Sequence, residues 1–255
     1  MINKKSSVTL SVVSHLQQQL VGELLDDLEK YAKDYISVTL TLNVDEALTF
    51  KTLDYTFPIH IIRNAHPKGF GANHNQAFTF CDTPYFCIIN PDIRLLTSPF
   101  SILISELEKH SAALIGPKVI NPEGGVEDSV RKFPTPFSIL KKLAYTRKIP
   151  DYPTDITIFN PDWVGGMFML FKSEKFKSIG GFDERYFLYY EDVDICRSLH
   201  EVENSIIYSP STSVIHEARR SSHKNIKYLK WHLKSMLLFF IKWTLMRHFR
   251  TASKQ

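Results

Sequence analysis

The sequence predicts an α/β protein whose core is a doubly wound sheet, followed by a basic helical segment. Three observations lead to this prediction. Short β-branched runs alternate with helical periodicities in the first half of the chain. A continuous apolar run over residues 85–90 has the composition of a buried parallel strand and stops at Asn90-Pro91-Asp92. The last 38 residues are strongly basic.

The first half of the chain divides into strands and helices in order. Residues 8–13 predict the first strand, and leucines at positions 16, 20, 24 and 28 predict a helix to about residue 33. Strands follow at 36–42 and 59–63. A glycine- and asparagine-rich turn, KGFGANHN, then leads to a short helix near 76–81 and the strand at 85–90. In doubly wound sheets, ligands gather at the carboxyl ends of such strands.

The second half of the chain is mixed. We predict a helix over 98–109, a strand near 113–119, and an irregular segment over 121–162, which is rich in proline and charge. Residues 164–171 predict a buried strand, 173–176 open a short helix, and 191–202 form another helix. Two extended pieces, 205–209 and 213–216, complete this region.

Composition limits the class of protein. The chain has 255 residues, 44% of them hydrophobic, which is enough for one large domain. Three unevenly spaced cysteines predict reduced thiols in a cytoplasmic protein rather than a disulfide frame or a zinc site. No apolar run is long enough to predict a transmembrane span or a signal peptide.

The basic tail predicts an anionic partner surface. Residues 218–255 hold ten basic residues and no acidic one, whereas residues 1–217 hold 21 basic against 27 acidic. Residues 226–249 predict an amphipathic helix. Its apolar stripe is Leu229, Leu233, Met236, Phe240 and Trp243, and its opposite stripe is Lys227, Lys230, Lys234 and Lys242. Such a helix can lie on an anionic membrane, or it can pack on its own domain with the lysines in solvent.

An acidic cluster in GGFDERYFLYYEDVDICR, residues 180–197, is a candidate catalytic site. Glu191, Asp192 and Asp194 lie within four residues and follow an aromatic run that can exclude water and raise their pKa values. The alternative is the ordinary acidic first turn of a helix, where carboxylates complement the helix dipole.

Two further patterns suit a phosphate ligand but also have structural explanations. Asp92 of Asn90-Pro91-Asp92 could ligate a divalent cation, although this tripeptide is also common in turns. The KGFGANHN turn lacks dinucleotide-motif spacing, yet Lys68 offers charge and its glycines allow close backbone approach. His216, ahead of two arginines, is either a ligand or a structural histidine.

Together, RNAHPKGFGANHNQAF, IINPDIRLL and DWVGGMFMLFKSEKFKSIGGFDERYFLYYEDVDICRSL resemble the family 2 inverting glycosyltransferases, which have a GT-A fold. The resemblance covers residues 8–220. VRKFP at 130–134 and KWHLKS at 230–235 are similar to bacterial rhamnosyltransferases of O-antigen and cell-wall assembly.

The resemblance implies roles for particular residues. Asp192 matches the catalytic base, supported by Glu191 and Asp194. Asp92 matches the last aspartate of the family's DxD motif, whose first position is Asn90 here, and with His216 it would hold Mg²⁺ or Mn²⁺. Trp163, Gly165 and Gly166 match the acceptor and sugar pocket. The nucleotide-sugar site would comprise Ser14, His15, Asn43, Lys68, Gly69, Asn73, Asn75, Asp92 and Arg219.

The second strand departs from the family pattern. It ends Thr41-Leu42-Asn43, where relatives usually have Val-Asp-Asn and the aspartate reads the base; here Asp45 comes slightly later.

The expected protein therefore has a glycosyltransferase domain over 1–220 and a membrane-associating helix over 221–255. Its donor would be a nucleotide sugar, foremost dTDP-L-rhamnose, and its acceptor a polyprenyl-diphosphate-linked saccharide. Nucleic acid is not an expected partner. The enzyme would be cytoplasmic, peripheral on the inner face of the bacterial inner membrane. A UDP-hexose donor is the alternative, and a non-enzymatic module that binds membrane or nucleic acid is a further one.

Overall fold

The computed structural model describes residues 7–144, 150–153, 157–217 and 226–252. Ten strands are present in this part of the chain: β1 Val8–Ser14, β2 Ile36–Leu42, β3 Ile59–Arg63, β4 Tyr85–Ile89, β5 Ile93–Arg94, β6 Leu114–Ile120, β7 Val130–Arg131, β8 Trp163–Val164, β9 Phe168–Lys172 and β10 Ile206–His216. The α-helices are α1 Gln18–Tyr31, α2 Phe70–Phe78, α3 Phe100–Lys109, α4 Pro136–Ala144, α5 Ser173–Ser178, α6 Glu191–Glu201 and α7 Ile226–Ala252.

Eight of these strands form one mixed sheet in the order β3-β2-β1-β4-β9-β6-β10-β5. Strands β1 to β4 pair in parallel around β1, whereas β9 is antiparallel to both β4 and β6. The predicted α/β class with a mixed sheet is confirmed. Because β1, β2 and β4 are parallel neighbours, the residues that follow them, including Asn43 and Asn90, meet at one edge of the sheet.

The alternation of side chains along β1 shows how the sheet is covered on both faces. Leu10 and Val12 are fully buried in a core with leucines of α1. On the opposite face, the Ser11 hydroxyl bonds the His74 ring of α2 at 2.7 Å, so this face is also inaccessible to water. Cys87 and Cys196 are buried, and all three cysteines are free thiols, as predicted.

Several predicted boundaries were wrong. Leu16 is 72% exposed with a positive φ, so it lies outside α1, which begins at Gln18. Most of the predicted KGFGANHN turn is helical, because α2 begins at Phe70. The predicted strand at 164–171 is divided into β8 and β9 by a turn at 165–167. The two extended pieces at 205–216 are one strand, β10, with a register shift between Ser209 and Ser213.

The predicted C-terminal helix is present as α7, but its faces differ from the prediction. Lys242, predicted to face solvent, is directed at the body of the protein and pairs with Asp183 and Asp194. Phe239 is buried beside Tyr190. An apolar stripe faces outward instead: Ile226, Leu229, Leu233, Leu237, Ile241 and Leu245. We call these six residues the outer stripe. Among the described helices, none is both long and apolar enough to cross a membrane.

Candidate active site

The acidic cluster lies at the start of α6, after two residues with left-handed backbone. Tyr189 and Tyr190 have φ values of 70° and 66°, and Tyr190 is buried. A left-handed conformation costs a non-glycine residue roughly 1–2 kcal/mol, so two in succession require strong packing around them. Phe239 of α7 supplies part of that packing. This strained backbone fixes the direction in which the Glu191 and Asp192 side chains project from the first turn of α6.

Asp192 is held by two backbone groups. The Gly166 N–H donates to its Oδ2 at 3.1 Å, and the Val193 N–H donates to its Oδ1 at 2.9 Å. Burial raises the pKa of Asp192, and the two N–H groups together with the charge of Arg131 oppose that rise. A carboxylate with a raised pKa and a fixed orientation is suited to accept a proton.

Glu191 is more deeply buried than Asp192, with 6% of its surface exposed. Its Oε2 has no hydrogen-bond partner within the described residues. Burial, followed by the adjacent charge of Asp192, raises the pKa of Glu191. Because the two carboxyls are adjacent, a negative charge on Asp192 disfavours a second one on Glu191.

Asp194 faces away from this pair and anchors α7. Lys242 Nζ lies 2.7 Å from its Oδ2, while the Trp243 indole N–H and the Tyr186 hydroxyl donate to its Oδ1 at 2.9 and 3.1 Å. Burial raises the pKa of Asp194 despite these donors. The structure thus gives Asp194 contacts with the terminal helix rather than with Asp192.

Asp92 and His216 are neighbours in space, as a shared metal or diphosphate site requires. Asp92 Oδ2 is 3.5 Å from His216 Nε2, and the other histidine nitrogen is 2.7 Å from a Glu127 carboxylate oxygen. Burial lowers the pKa of His216, but its hydrogen bonds with Asp92 and Glu127 outweigh that effect and raise the pKa to about 9. Asp92 Oδ1 is buried and has no partner among the described residues.

The turn between β8 and β9 connects the two acidic sites. Its Met167 carbonyl accepts the N–H of Asn90 at 2.9 Å, and its Gly166 N–H binds Asp192. Asn90, two residues before Asp92, and Asp192 itself are thus hydrogen-bonded to adjacent residues of one short turn. This turn interrupts the run that was predicted to be a single strand over residues 164–171.

Several residues predicted to bind the nucleotide form one amide network. Asn43 Oδ1 accepts the Lys68 N–H at 2.8 Å, and its side-chain amide donates to the Lys68 carbonyl at 3.0 Å. Asn73 donates to the Gly69 carbonyl at 3.0 Å, and Asn64 bridges Asn43 and Asn73. Ser14 accepts from Gln18, and exposed His15 lies 3.5 Å from Asn43. This network holds the 68–69 backbone beside the carboxyl ends of β1 and β2.

Other predicted residues of this group have different surroundings. The Lys68 ammonium donates to Gln76, and Asn75 bonds the backbone of Phe182 in both directions. Gly69 has no room for a side chain, because a Cβ there would lie 2.7 Å from the Phe187 carbonyl oxygen. Arg219, also predicted here, lies outside the described residues.

A cavity of about 620 Å³ adjoins Asp192 and Glu191. Trp163 lines it, and its indole N–H donates to the Lys132 carbonyl at 3.0 Å. Gly165 and Gly166, which the resemblance placed in the same pocket, are not among the residues that line this cavity. They lie in the β8–β9 turn, where the Gly165 N–H donates to the Ser129 carbonyl.

Sequence reasoning missed Glu127, Arg131 and Lys242. The first two lie in the segment that was predicted to be irregular, and Lys242 was assigned to the wrong face of its helix. The VRKFP motif was the one signal that could have pointed to Arg131.

Comparisons with known proteins identify the family of this chain. The family model "Glycosyl transferase family 2" matches residues 43–171, about half of the chain. The chain belongs to glycosyl transferase family 2 and is a glycosyltransferase, as the sequence predicted.

Two relatives are rhamnosyltransferases. Rhamnosyltransferase WbbL of Escherichia coli is 28% identical over 92% of this chain and 93% of its own length. N-acetylglucosaminyl-diphospho-decaprenol L-rhamnosyltransferase of Mycobacterium tuberculosis is 28% identical over 60% of this chain, a match that spans 53% of that protein.

The fold also matches a solved glycosyltransferase. The crystal structure of GalNAc-T7 with UDP, GalNAc and Mn²⁺ superposes with a TM-score of 0.64 at 13% identity, over 85% of this chain and 44% of that one. This similarity confirms the predicted GT-A fold.

Proposed function

We propose that this glycosyltransferase moves L-rhamnose from dTDP-L-rhamnose, with inversion, onto a polyprenyl-diphosphate-linked saccharide during synthesis of a bacterial surface polysaccharide. The activities of the E. coli and mycobacterial relatives support the donor sugar and the acceptor class. The observation that carries the proposal is the β8–β9 turn, which connects the Asp92 turn to Asp192. A donor diphosphate and an acceptor hydroxyl need such adjacent sites.

In the proposed reaction, Asp192 is the general base. Its carboxylate takes the proton of the acceptor hydroxyl as the hydroxyl oxygen forms a bond to the anomeric carbon of rhamnose, and the bond from that carbon to the diphosphate breaks. One displacement inverts the configuration, so no second nucleophilic carboxylate is needed. Gly166 and Val193 aim the carboxylate, and its raised pKa strengthens it as a base. Glu191 in its protonated form would leave the charge on Asp192.

Asp92 and His216 are the residues that would hold Mg²⁺ or Mn²⁺. Asp92 Oδ1, buried without a partner in the described part of the chain, is a carboxylate oxygen of the kind these ions prefer. No cluster of three or more His, Cys, Asp or Glu side chains suited to a metal occurs among the described residues. The donor diphosphate would therefore complete the ligand set. A bound divalent ion would supply charge stabilisation to the departing diphosphate.

The outer stripe of α7 is the proposed contact with the cytoplasmic face of the inner membrane. Leu233 and Leu237 are 49% and 60% exposed, and the exposed lysines 227, 230 and 234 lie alongside. Apolar side chains bordered by cations match the interface of an anionic bilayer. This surface differs from the predicted stripe, since Met236, Phe240 and Trp243 pack toward the body.

A donor panel tests the reaction. The purified protein with Mg²⁺ is given a short-chain GlcNAc-diphospho-prenol and dTDP-L-rhamnose, UDP-glucose or UDP-galactose, and nucleotide release and product mass are measured. We expect product with dTDP-L-rhamnose and a loss of roughly 10²–10⁴-fold in Asp192→Asn, the range typical of a missing general base. Asp34→Asn, at an exposed aspartate far along the chain, is the matched control. Preference for a UDP-hexose would reject dTDP-L-rhamnose as the donor. Full activity of Asp192→Asn would reject Asp192 as the general base.

Sedimentation with vesicles tests the membrane contact. Wild type should bind phosphatidylglycerol vesicles, and Leu233→Glu/Leu237→Glu should bind at least roughly tenfold more weakly, because two apolar side chains can no longer leave water. Leu53→Glu, at a leucine that is 94% exposed elsewhere, is the control and should bind as wild type does. Equal binding by all three proteins would reject the outer stripe as the contact.

A further inference from the structure

Two cationic side chains line the cavity beside Asp192, and neither has yet been given a ligand. Arg131 and Lys132 line it, as do Ser138 and Ile139 of α4 and His232 and Met236 of α7. Neither Asp92 nor His216 reaches this cavity. The cavity is therefore separate from the Asp92–His216 pair, while Asp192 lines it.

Both cations are presented by a firmly held backbone. The Lys132 N–H donates to Asp151 at 3.1 Å, and its carbonyl accepts the Trp163 indole N–H at 3.0 Å. The Arg131 guanidinium lies 5.6 Å from the centre of the Trp163 ring and contacts Asp128 at 2.8 Å. The Lys132 side chain is exposed and forms no ion pair within the described residues; its ammonium lies 5.7 Å from the centre of the Tyr152 ring. Its backbone is fixed, while its charge remains available to a ligand.

The two helices that border the cavity both present apolar side chains to solvent. Phe137 and Leu140 of α4 are 77% and 66% exposed, and α7 carries the outer stripe. A ligand that joins an apolar chain to an anionic group would match a cavity that these helices border and that Arg131, Lys132 and Asp192 line.

We propose that Arg131 and Lys132 bind the diphosphate of the lipid-linked acceptor. Its sugar hydroxyl would then reach Asp192, and its prenyl chain would leave between α4 and α7. Arginine and lysine are the side chains that bind phosphate oxygens best, the first through paired N–H groups and the second as a point charge. This inference rests on the proposed function, and it assigns the acceptor diphosphate to a site separate from that of the donor.

The test compares two acceptors that differ only in the diphosphate. GlcNAc-diphospho-farnesol and a farnesyl GlcNAc glycoside of the same anomeric configuration are each given to the wild type, Lys132→Ala and Arg131→Lys with dTDP-L-rhamnose, and kcat/KM is measured for each. The wild type should prefer the diphosphate acceptor. That preference should fall about tenfold in Lys132→Ala, chiefly through a higher KM for the acceptor, with KM for the donor unchanged. Lys109→Ala, an exposed lysine at the end of α3, is the control and should keep the preference.

The outcomes separate this inference from the proposed function. Transfer by the wild type with an unchanged preference in both cavity variants would overturn the diphosphate site and leave the reaction standing. No rhamnosyl transfer to either acceptor would overturn the proposed function and this inference with it. A change in the KM of the donor instead would assign the two cations to the nucleotide and so reject the acceptor role. Thermal unfolding of each variant verifies that exposed Lys132 is dispensable for folding.

Discussion

Replacing Lys242 by methionine should destabilise the protein through Asp194, although the lysine lies in the terminal helix, 48 positions away. The Asp194 side chain is 2% exposed, and Lys242, at 2.7 Å, is its one cationic partner within the described residues. Removing one member of a buried ion pair costs about 3–5 kcal/mol, because the remaining charge stays buried. We expect a loss near the lower end, about 3 kcal/mol, because Trp243 and Tyr186 still donate to Asp194.

The loss can be measured by thermal and urea-induced unfolding. For a chain of this size, 1 kcal/mol corresponds to roughly 2–4 °C in Tm, so Lys242→Met should melt about 6–12 °C below wild type. Lys234→Met, at an exposed lysine of the same helix, is the control and should change stability by less than about 0.5 kcal/mol. The double variant Asp194→Asn/Lys242→Met should recover part of the loss, because it leaves no buried charge.

The dependence on pH distinguishes a buried charge from lost packing. Burial already raises the pKa of Asp194, and removal of Lys242 raises it further. The folded variant then binds a proton that the unfolded chain releases, so its stability falls as pH rises above the unfolded value of about 3.9. The difference in the free energy of unfolding between Lys242→Met and wild type should therefore be smaller at pH 5 than at pH 7.5. A Tm within 2 °C of wild type, or a gap independent of pH, would refute this reasoning.

Two further predictions concern Asp192. In Gly166→Ala, the new Cβ would lie 3.1 Å from the Phe70 ring, so either that ring or the turn with the N–H that orients Asp192 must shift. We expect kcat to fall about tenfold, because the Asp192 carboxylate loses its fixed orientation. The control is Gly22→Ala in α1, whose Cβ would meet Phe50 at an ordinary 3.9 Å and which should keep full activity. In Arg131→Gln, loss of a charge that lowers the pKa of Asp192 should move the acid limb of the kcat/KM profile to higher pH; an unmoved limb would show that Asp192 does not set it.

The sequence predicted most strands of the sheet because their signal is local. The strands at 36–42 and 59–63 have the predicted bounds, since a β-branched run bounded by polar residues is enough to define a strand. The turn at 165–167 could not be found in this way. Its surroundings are continuously apolar, and it is specified by contacts with Asn90 and Asp192, which are distant in the sequence.

The same limit applies to the candidate site. The acidic cluster and the Asn90-Pro91-Asp92 turn can be recognised in the sequence as motifs. The residues that contact them cannot be recognised in the same way. Glu127 contacts His216 across 89 positions, and nothing in its own neighbourhood marks it. Division of the chain at residue 220 into catalytic domain and terminal helix also remains a prediction.

The prediction that the terminal helix has one apolar face and one lysine face was wrong, and the reason bears on function. Periodicity assumes one apolar face, yet α7 has two: Phe239 and its neighbours pack on Tyr190, while the outer stripe faces solvent. Its inner face also carries Lys242 and Trp243, which bind Asp194 in the first turn of α6. One face of α7 therefore packs against the strained start of α6, and the other face exposes leucines to solvent. If the outer stripe lies on the membrane, the segment carrying Asp192 is held at a fixed height above the bilayer, which is what an enzyme acting on a lipid-linked sugar requires.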